Sequence, residues 1–121
     1  AVFDREMRFL GLSDRWRHEY GLDDRDVTGA CLYDVMPETR ALWREVHERC
    51  LAGEALASEE IFLRSDDRRE RVRWEVQPLR LEDGRVGGLT MITEVVTQRR
   101  ALEEEARIRQ AAMASALSPL A

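Results

Sequence analysis

The sequence predicts an α+β domain: a five-stranded antiparallel sheet with helices on one face and a C-terminal helix that exits the sheet. The first observation is residues 71–79, which alternate apolar and polar side chains at period two, as a half-buried strand does. The second is the turn sequence at 82–85 followed by another strand-like run at 86–96, which predicts a hairpin. The third is the highly charged, helix-favouring run that follows Thr97, the predicted helix cap.

The N-terminal elements follow from local signals. Residues 1–12 predict a short hairpin, and Ser13 is a good N-cap because its hydroxyl can accept from a free helix N–H. The helix it begins is expected to stop at Gly21. A polar connection over 22–28 then leads to a short helix at 32–35.

The longest internal helix is predicted over 39–52, with Gly53 ending it as a C-terminal glycine cap. A third strand is predicted at 57–64, and the polar run at 65–69 turns the chain into the long hairpin. The helix carries apolar residues at i, i+3 and i+4 spacing, which form one stripe: Leu42, Trp43, Val46, Cys50 and Leu51.

Size and charge narrow the function classes. The chain has 121 residues, enough for one domain, and a formal net charge of −5 with 36% charged residues. Arginines alternate with acidic residues throughout, so the sequence predicts no nucleic-acid partner. No apolar run approaches the roughly 20 residues of a membrane span. Two cysteines define no disulfide framework, and we expect a reduced, cytoplasmic setting.

Several short motifs occur in a fixed order along residues 1–100. They are Val2-Phe3-Asp4, Met7-Arg8-Phe9-Leu10, Ser13-Asp14-Arg15-Trp16, Asp34-Val35-Met36-Pro37-Glu38, Leu51-Ala52-Gly53-Glu54, Trp74, Pro78, Asp83-Gly84, Gly87-Gly88 and Glu94-Val95-Val96-Thr97. Their order and spacing resemble a PAS domain. The resemblance places the PAS domain at 1–97 and a C-terminal linker or signalling helix at 98–121.

The resemblance implies a bacterial sensory or dimerisation module that does no chemistry. It would relay a signal through its exiting helix to a covalently attached output domain, of histidine kinase or diguanylate cyclase type. Two alternatives stay open. One is a structural pairing module without a ligand, and the other is a small cone-shaped α+β enzyme in which His47 works with a carboxylate.

Apolar positions on the predicted strands and helices suggest a small-molecule pocket between sheet and helices. PAS domains commonly hold ligands there, whereas the alternative is a core filled at normal packing density. The predicted lining residues are Leu32, Val35, Leu42, Val46, Cys50, Phe62, Trp74, Val76, Met91 and Thr93.

We expect no haem. In haem-binding PAS domains the iron ligand is a histidine on the long helix, which resembles His47. However, Trp43 lies one turn earlier and would crowd a porphyrin, so His47 is predicted to be a surface or rim histidine.

We expect neither flavin nor metal. Cys31 lies one place early for the photoactive cysteine of LOV domains, and Thr93 stands where the flavin-contacting glutamine would be. A zinc site from His47, Cys50 and Cys31 would lack a fourth ligand, since His18 is not evidently near.

The C-terminal helix carries a weak heptad-like seam. Its positions step by four and three residues, as in a coiled coil: Leu102, Ala106, Arg109, Met113 and Ala116. This pattern predicts a homodimer through the helix. The alternative is an amphipathic helix folded back on its own sheet.

Overall fold

The structure, a computed structural model, describes residues 1–63 and 67–117. Its strands form one five-stranded antiparallel sheet in the order β2-β1-β5-β4-β3. The predicted fold class is therefore confirmed. In chain order the elements are β1 (Val2–Asp4), β2 (Phe9–Gly11), α1 (Asp14–Glu19), α2 (Leu32–Val35), α3 (Glu38–Leu51), β3 (Leu56–Leu63), β4 (Arg69–Arg80), β5 (Val86–Val95) and α4 (Thr97–Leu117).

The chain divides into two compact units. The first unit comprises Ala1–Ser58 and Arg73–Thr93, and the second comprises Glu59–Val72 and Glu94–Ala121. Within the described ranges, no helix has both the length and the apolar character needed to cross a membrane.

An aromatic cluster holds the N-terminal part of the first unit. Phe3 pairs with Phe9 across β1 and β2 and with Leu89 on β5. The Phe3 and Phe9 rings lie 4.7 Å apart, and Trp16 of α1 meets Phe9 edge-on at 5.7 Å. The predicted cap at Ser13 is confirmed, because its hydroxyl accepts from the Trp16 N–H. Capping and aromatic packing together position α1 against β1 and β2.

The connection after α1 differs from the predicted polar segment. Leu22 and Val27 are each only 2% exposed and belong to the core. The backbone turns there without forming a helix, and Leu22 N–H donates to the Arg17 carbonyl at 2.8 Å. The burial of Leu22 and Val27 cannot be predicted from the sequence, because each is an isolated apolar residue among polar neighbours and gives no periodic signal.

The long hairpin follows its predicted pattern. Val72, Trp74 and Val76 are buried on one face of β4, and Gly84 turns the chain with φ +85°. On β5, Gly88 lies opposite Asp4 of β1. A side chain at position 88 would overlap the Phe3 carbonyl oxygen, so only glycine allows this close strand approach.

The second unit contains most of β3, the start of β4, and α4. The predicted turn at 65–69 is described only from Asp67, which has φ +63°, a left-handed conformation that Asp tolerates. Residues 64–66 and 118–121, at the ends of predicted elements, lie outside the described residues. Thr97 is the first residue of α4 in place of the predicted cap.

Candidate functional site

Of the predicted pocket residues in the first unit, all except Leu42 are buried or half-buried. Leu32, Cys50, Trp74 and Val76 are buried, and Val35, Val46, Met91 and Thr93 are half-buried. Phe62 is half-buried in the second unit. That these residues line a ligand cavity stays a prediction.

The prediction for Leu42 is wrong, because its side chain is 72% exposed. The inward face of α3 runs instead through Trp43, His47 and Cys50, at steps of four and three residues. Leu42 precedes Trp43 by about 100° around the helix, which is enough to turn it to solvent.

The rim position predicted for His47 is also wrong. Its side chain is 1% exposed and is the one buried polar side chain found in the described ranges. The Nδ1 atom lies 2.7 Å from the Tyr33 hydroxyl of α2, and the two rings are 5.7 Å apart. The Nε2 atom is buried with no hydrogen-bond partner in the described part of the chain. An unpaired buried polar group costs about 1–3 kcal/mol, so this nitrogen calls for an explanation.

Burial keeps both members of this pair neutral. It lowers the pKa of His47 from 6.5 to about 4. It also raises the pKa of Tyr33 from 10.0 to about 12, with nearby Cys31 and Glu48 contributing less. A neutral imidazole bonded to a phenol is not the histidine–carboxylate dyad that the enzyme alternative requires.

A second unpaired nitrogen lies on the facing strand. Trp74 of β4 meets Trp43 of α3 edge-to-face, with ring centroids 5.0 Å apart. Its indole Nε1 is buried and has no partner within the described residues. Trp43 and His47 are one turn apart on α3, so the layer between α3 and β4 contains the unpaired nitrogens of His47 and Trp74. Sequence patterns place His47 at the rim and therefore do not predict that its Nε2 lies in the same layer as the Trp74 indole. The signal that the sequence does contain is Trp43 followed four residues later by His47 on the inward face of the helix.

The cysteines play different structural parts. Cys31 is half-buried, with its sulfur 3.6 Å from the Glu6 carbonyl oxygen. Cys50 is fully buried, and burial raises the pKa of its thiol to about 11. Over residues 1–63 and 67–117, no group of three or more His, Cys, Asp or Glu side chains lies close enough to hold a metal ion.

The second unit contains a clamp at the start of α4, formed by Glu59, Arg71, Thr97 and Arg100. Arg100 Nη2 and Nε donate to Glu59 of β3 at 2.7 and 3.0 Å. This pairing lowers the pKa of Glu59 and raises that of Arg100, to which a hydrogen bond to Glu103 also contributes. Arg71 of β4 donates its N–H to the Thr97 hydroxyl at 2.8 Å and accepts from Val96 N–H at 2.8 Å. The first turn of α4 is therefore tied to two strands.

Beyond the clamp, α4 has no buried face. Every residue from 101 to 117 is exposed, including Leu102 at 57% and Met113 at 60%. An open groove lies at the helix start. It is lined by Val95, Gln98, Arg99, Leu102, Glu103 and Ala106.

Comparison with known families agrees with this architecture. The family model described as the PAS fold matches residues 1–101. The chain therefore belongs to the PAS fold family, and the predicted family is confirmed. No curated protein matches the chain by sequence.

Solved structures share the fold. The PAS domain of Bordetella pertussis BvgS matches with 20% identity and a TM-score of 0.66, covering 92% of this chain and 85% of that one. The phage VqmA–DPO complex matches with 17% identity and a TM-score of 0.74, covering 90% and 51%. An RNA-binding light-oxygen-voltage receptor matches with 28% identity and a TM-score of 0.67, covering 95% and 32%. The chain spans about half the length of the VqmA chains it matches.

Proposed function

We propose that the chain is a cytoplasmic, non-enzymatic PAS sensory module that passes a signal from its sheet through α4 to an output domain. The observation that carries this proposal is the clamp at the start of α4. Glu59 and Arg71 bind the first helical turn, whereas the rest of the helix is exposed. A change in the position of β3 or β4 would therefore act on one end of a continuous helix of 21 residues.

The proposed output is a histidine kinase or a diguanylate cyclase. Two related structures broaden the range of outputs to test, since one is a VqmA–ligand–DNA complex and another is an RNA-binding receptor. The hydrogen bond between His47 and the Tyr33 hydroxyl, in place of one to a carboxylate, disfavours the enzyme alternative.

The clamp can be tested with a substitution that removes charge and keeps shape. Glu59→Gln is expected to raise hydrogen exchange of the amides at 100–103 about two- to fivefold, because it removes the charge that Arg100 binds, and an exposed ion pair contributes only modestly to stability. Exchange is measured by NMR or mass spectrometry. The control is Glu60→Gln, which changes an exposed neighbour on the same strand. Equal exchange in both variants would show that Glu59 does not hold the helix.

We further propose that α4 pairs with a second copy of the chain. Leu102 and Ala106 contribute to the open groove, and Met113 continues the same helix face two turns on. Arg99 and Glu103 flank the groove with opposite charges. In a two-fold contact, Arg99 of one copy can face Glu103 of the other, so the surface is self-complementary.

Sedimentation across a concentration series tests this pairing. The wild-type chain is expected to dimerise weakly, and Leu102→Asp is expected to keep it monomeric, because the contact would contain an unpaired charge. Ile108→Asp is the matched control, since Ile108 is similarly exposed at 62% but lies about 120° from Leu102 around the helix. If Ile108→Asp abolishes pairing and Leu102→Asp does not, the dimer uses another face.

A further inference from the structure

The first unit contains three buried side-chain nitrogens without a hydrogen-bond partner in the described part of the chain, and two of them share the layer between α3 and β4. His47 Nε2 lies on α3 and Trp74 Nε1 on β4, and both are without a partner in the described part of the chain. Their side chains are 1% and 8% exposed, so bulk water does not reach them. Nearly all buried polar groups in folded proteins are hydrogen-bonded, so two exceptions in one layer call for an explanation, and a bound group would supply one.

The chemistry of the two atoms restricts what can bind. The indole N–H is a donor only, so it requires an acceptor. The imidazole has one fixed partner, the Tyr33 hydroxyl, at Nδ1. If Tyr33 donates to Nδ1, Nε2 carries the proton and is a second donor. If Nδ1 donates to Tyr33, Nε2 is an acceptor.

Charge on the ligand is disfavoured. The burial that keeps the imidazole neutral would equally penalise an ionised ligand placed beside it. An acceptor oxygen therefore has to come from an uncharged group. A carbonyl next to an N–H satisfies Trp74 and His47 in either histidine tautomer, because the carbonyl oxygen has two lone pairs.

We propose that this layer binds a small neutral molecule with an amide or lactam group, which accepts from the Trp74 indole and bonds to His47 Nε2. Tyr33 positions the imidazole, and Trp43 fixes the plane of the Trp74 ring. This proposal deepens the sensory function and rests on it for its biological meaning. The test measures binding at this site alone, so a negative result would not bear on the proposed relay through α4.

A built-in comparison comes from Trp16. Its Nε1 is also buried without a partner in the described residues, but its ring neighbours are Phe3, Phe9 and Tyr20. No second unpaired polar atom accompanies it among the described residues. Trp16 therefore reports non-specific uptake of a probe into the apolar core, whereas Trp74 reports the proposed site.

The experiment follows the indole N–H signals of ¹⁵N-labelled protein during titration with 2-piperidone, a six-membered lactam. Three tryptophans give three signals, which Trp16→Phe and Trp43→Phe assign. We expect a saturable shift at Trp74, a change at His47 Nε2, and no shift at Trp16. Cyclohexanone, which lacks the N–H, and valerate, which is an anion, are the matched probes.

The expected order of affinity is 2-piperidone above cyclohexanone, with valerate not bound. His47→Phe and Trp74→Phe should each weaken 2-piperidone binding at least tenfold. If these variants fail to fold, the titration of the wild-type protein still tests whether the site binds the lactam. Valerate binding at Trp74 with equal or higher affinity would overturn the neutral class. The absence of any shift at Trp74, or an equal shift at Trp16, would overturn the site and leave a buried water as the partner of both nitrogens.

Discussion

Replacing Trp74 with alanine is expected to lower the free energy of unfolding by about 3–5 kcal/mol. The side chain is 8% exposed and packs edge-to-face on Trp43 at 5.0 Å, so its removal leaves a large void in the core. Urea denaturation followed by far-ultraviolet circular dichroism measures the change.

The matched control for this substitution is Leu42→Ala. Leu42 is a large apolar residue next to Trp43, but it is 72% exposed, and its truncation should change stability by less than about 0.5 kcal/mol. A Trp74→Ala variant as stable as Leu42→Ala would contradict the burial of β4 and the packing of α3 on it.

Substituting Gly88 by alanine is expected to destabilise the protein by about 3 kcal/mol, the upper end of the range for overpacking. The added Cβ would overlap the Phe3 carbonyl oxygen and lie 3.0 Å from Asp4 Cα. Both neighbours are backbone atoms of β1, which cannot rotate away as a side chain can. The pairing of β1 with β5 must therefore open, and calorimetry should show a lower melting temperature.

Gly11→Ala provides the comparison for Gly88→Ala. A Cβ at Gly11, on β2, meets nothing within 4 Å, so this variant should unfold within a degree or two of the wild type. If the two glycine variants are equally stable, β1 and β5 do not approach as closely at Gly88 as the structure indicates.

The strands could be predicted because the residue pattern that defines a strand is local in the sequence. Alternation along 71–79 depends only on which side of a pleated strand each residue occupies, and Val72, Trp74 and Val76 are buried as expected. The turn at Gly84 was similarly encoded, since its φ of +85° suits glycine. The family followed from the order of these local signals and is confirmed by the match to residues 1–101.

The inward face of α3 was predicted less well, because it depends on a partner distant in sequence. Apolar periodicity selected Leu42 and assigned His47 to the rim. Burial of His47 becomes acceptable once its Nδ1 shares a hydrogen bond with the Tyr33 hydroxyl, 14 residues earlier. The spacing of apolar residues carries no information about that hydrogen bond. For the same reason the burial of Leu22 and Val27 could not be predicted, since it depends on how the chain turns after α1.

The clamp on Arg100 also fixes a rotational phase. Each residue of an α-helix advances the chain by about 1.5 Å and turns it by about 100°, so the C-terminal segment of α4, up to Leu117, faces a direction set at Glu59. Deleting one residue from α4 would swing that segment about a quarter turn, whereas deleting seven would return it to within about 20° of its original facing. If α4 relays a signal as proposed, the helix length beyond the clamp sets the orientation of an attached domain, and chimeras built on this domain should work in steps of seven residues.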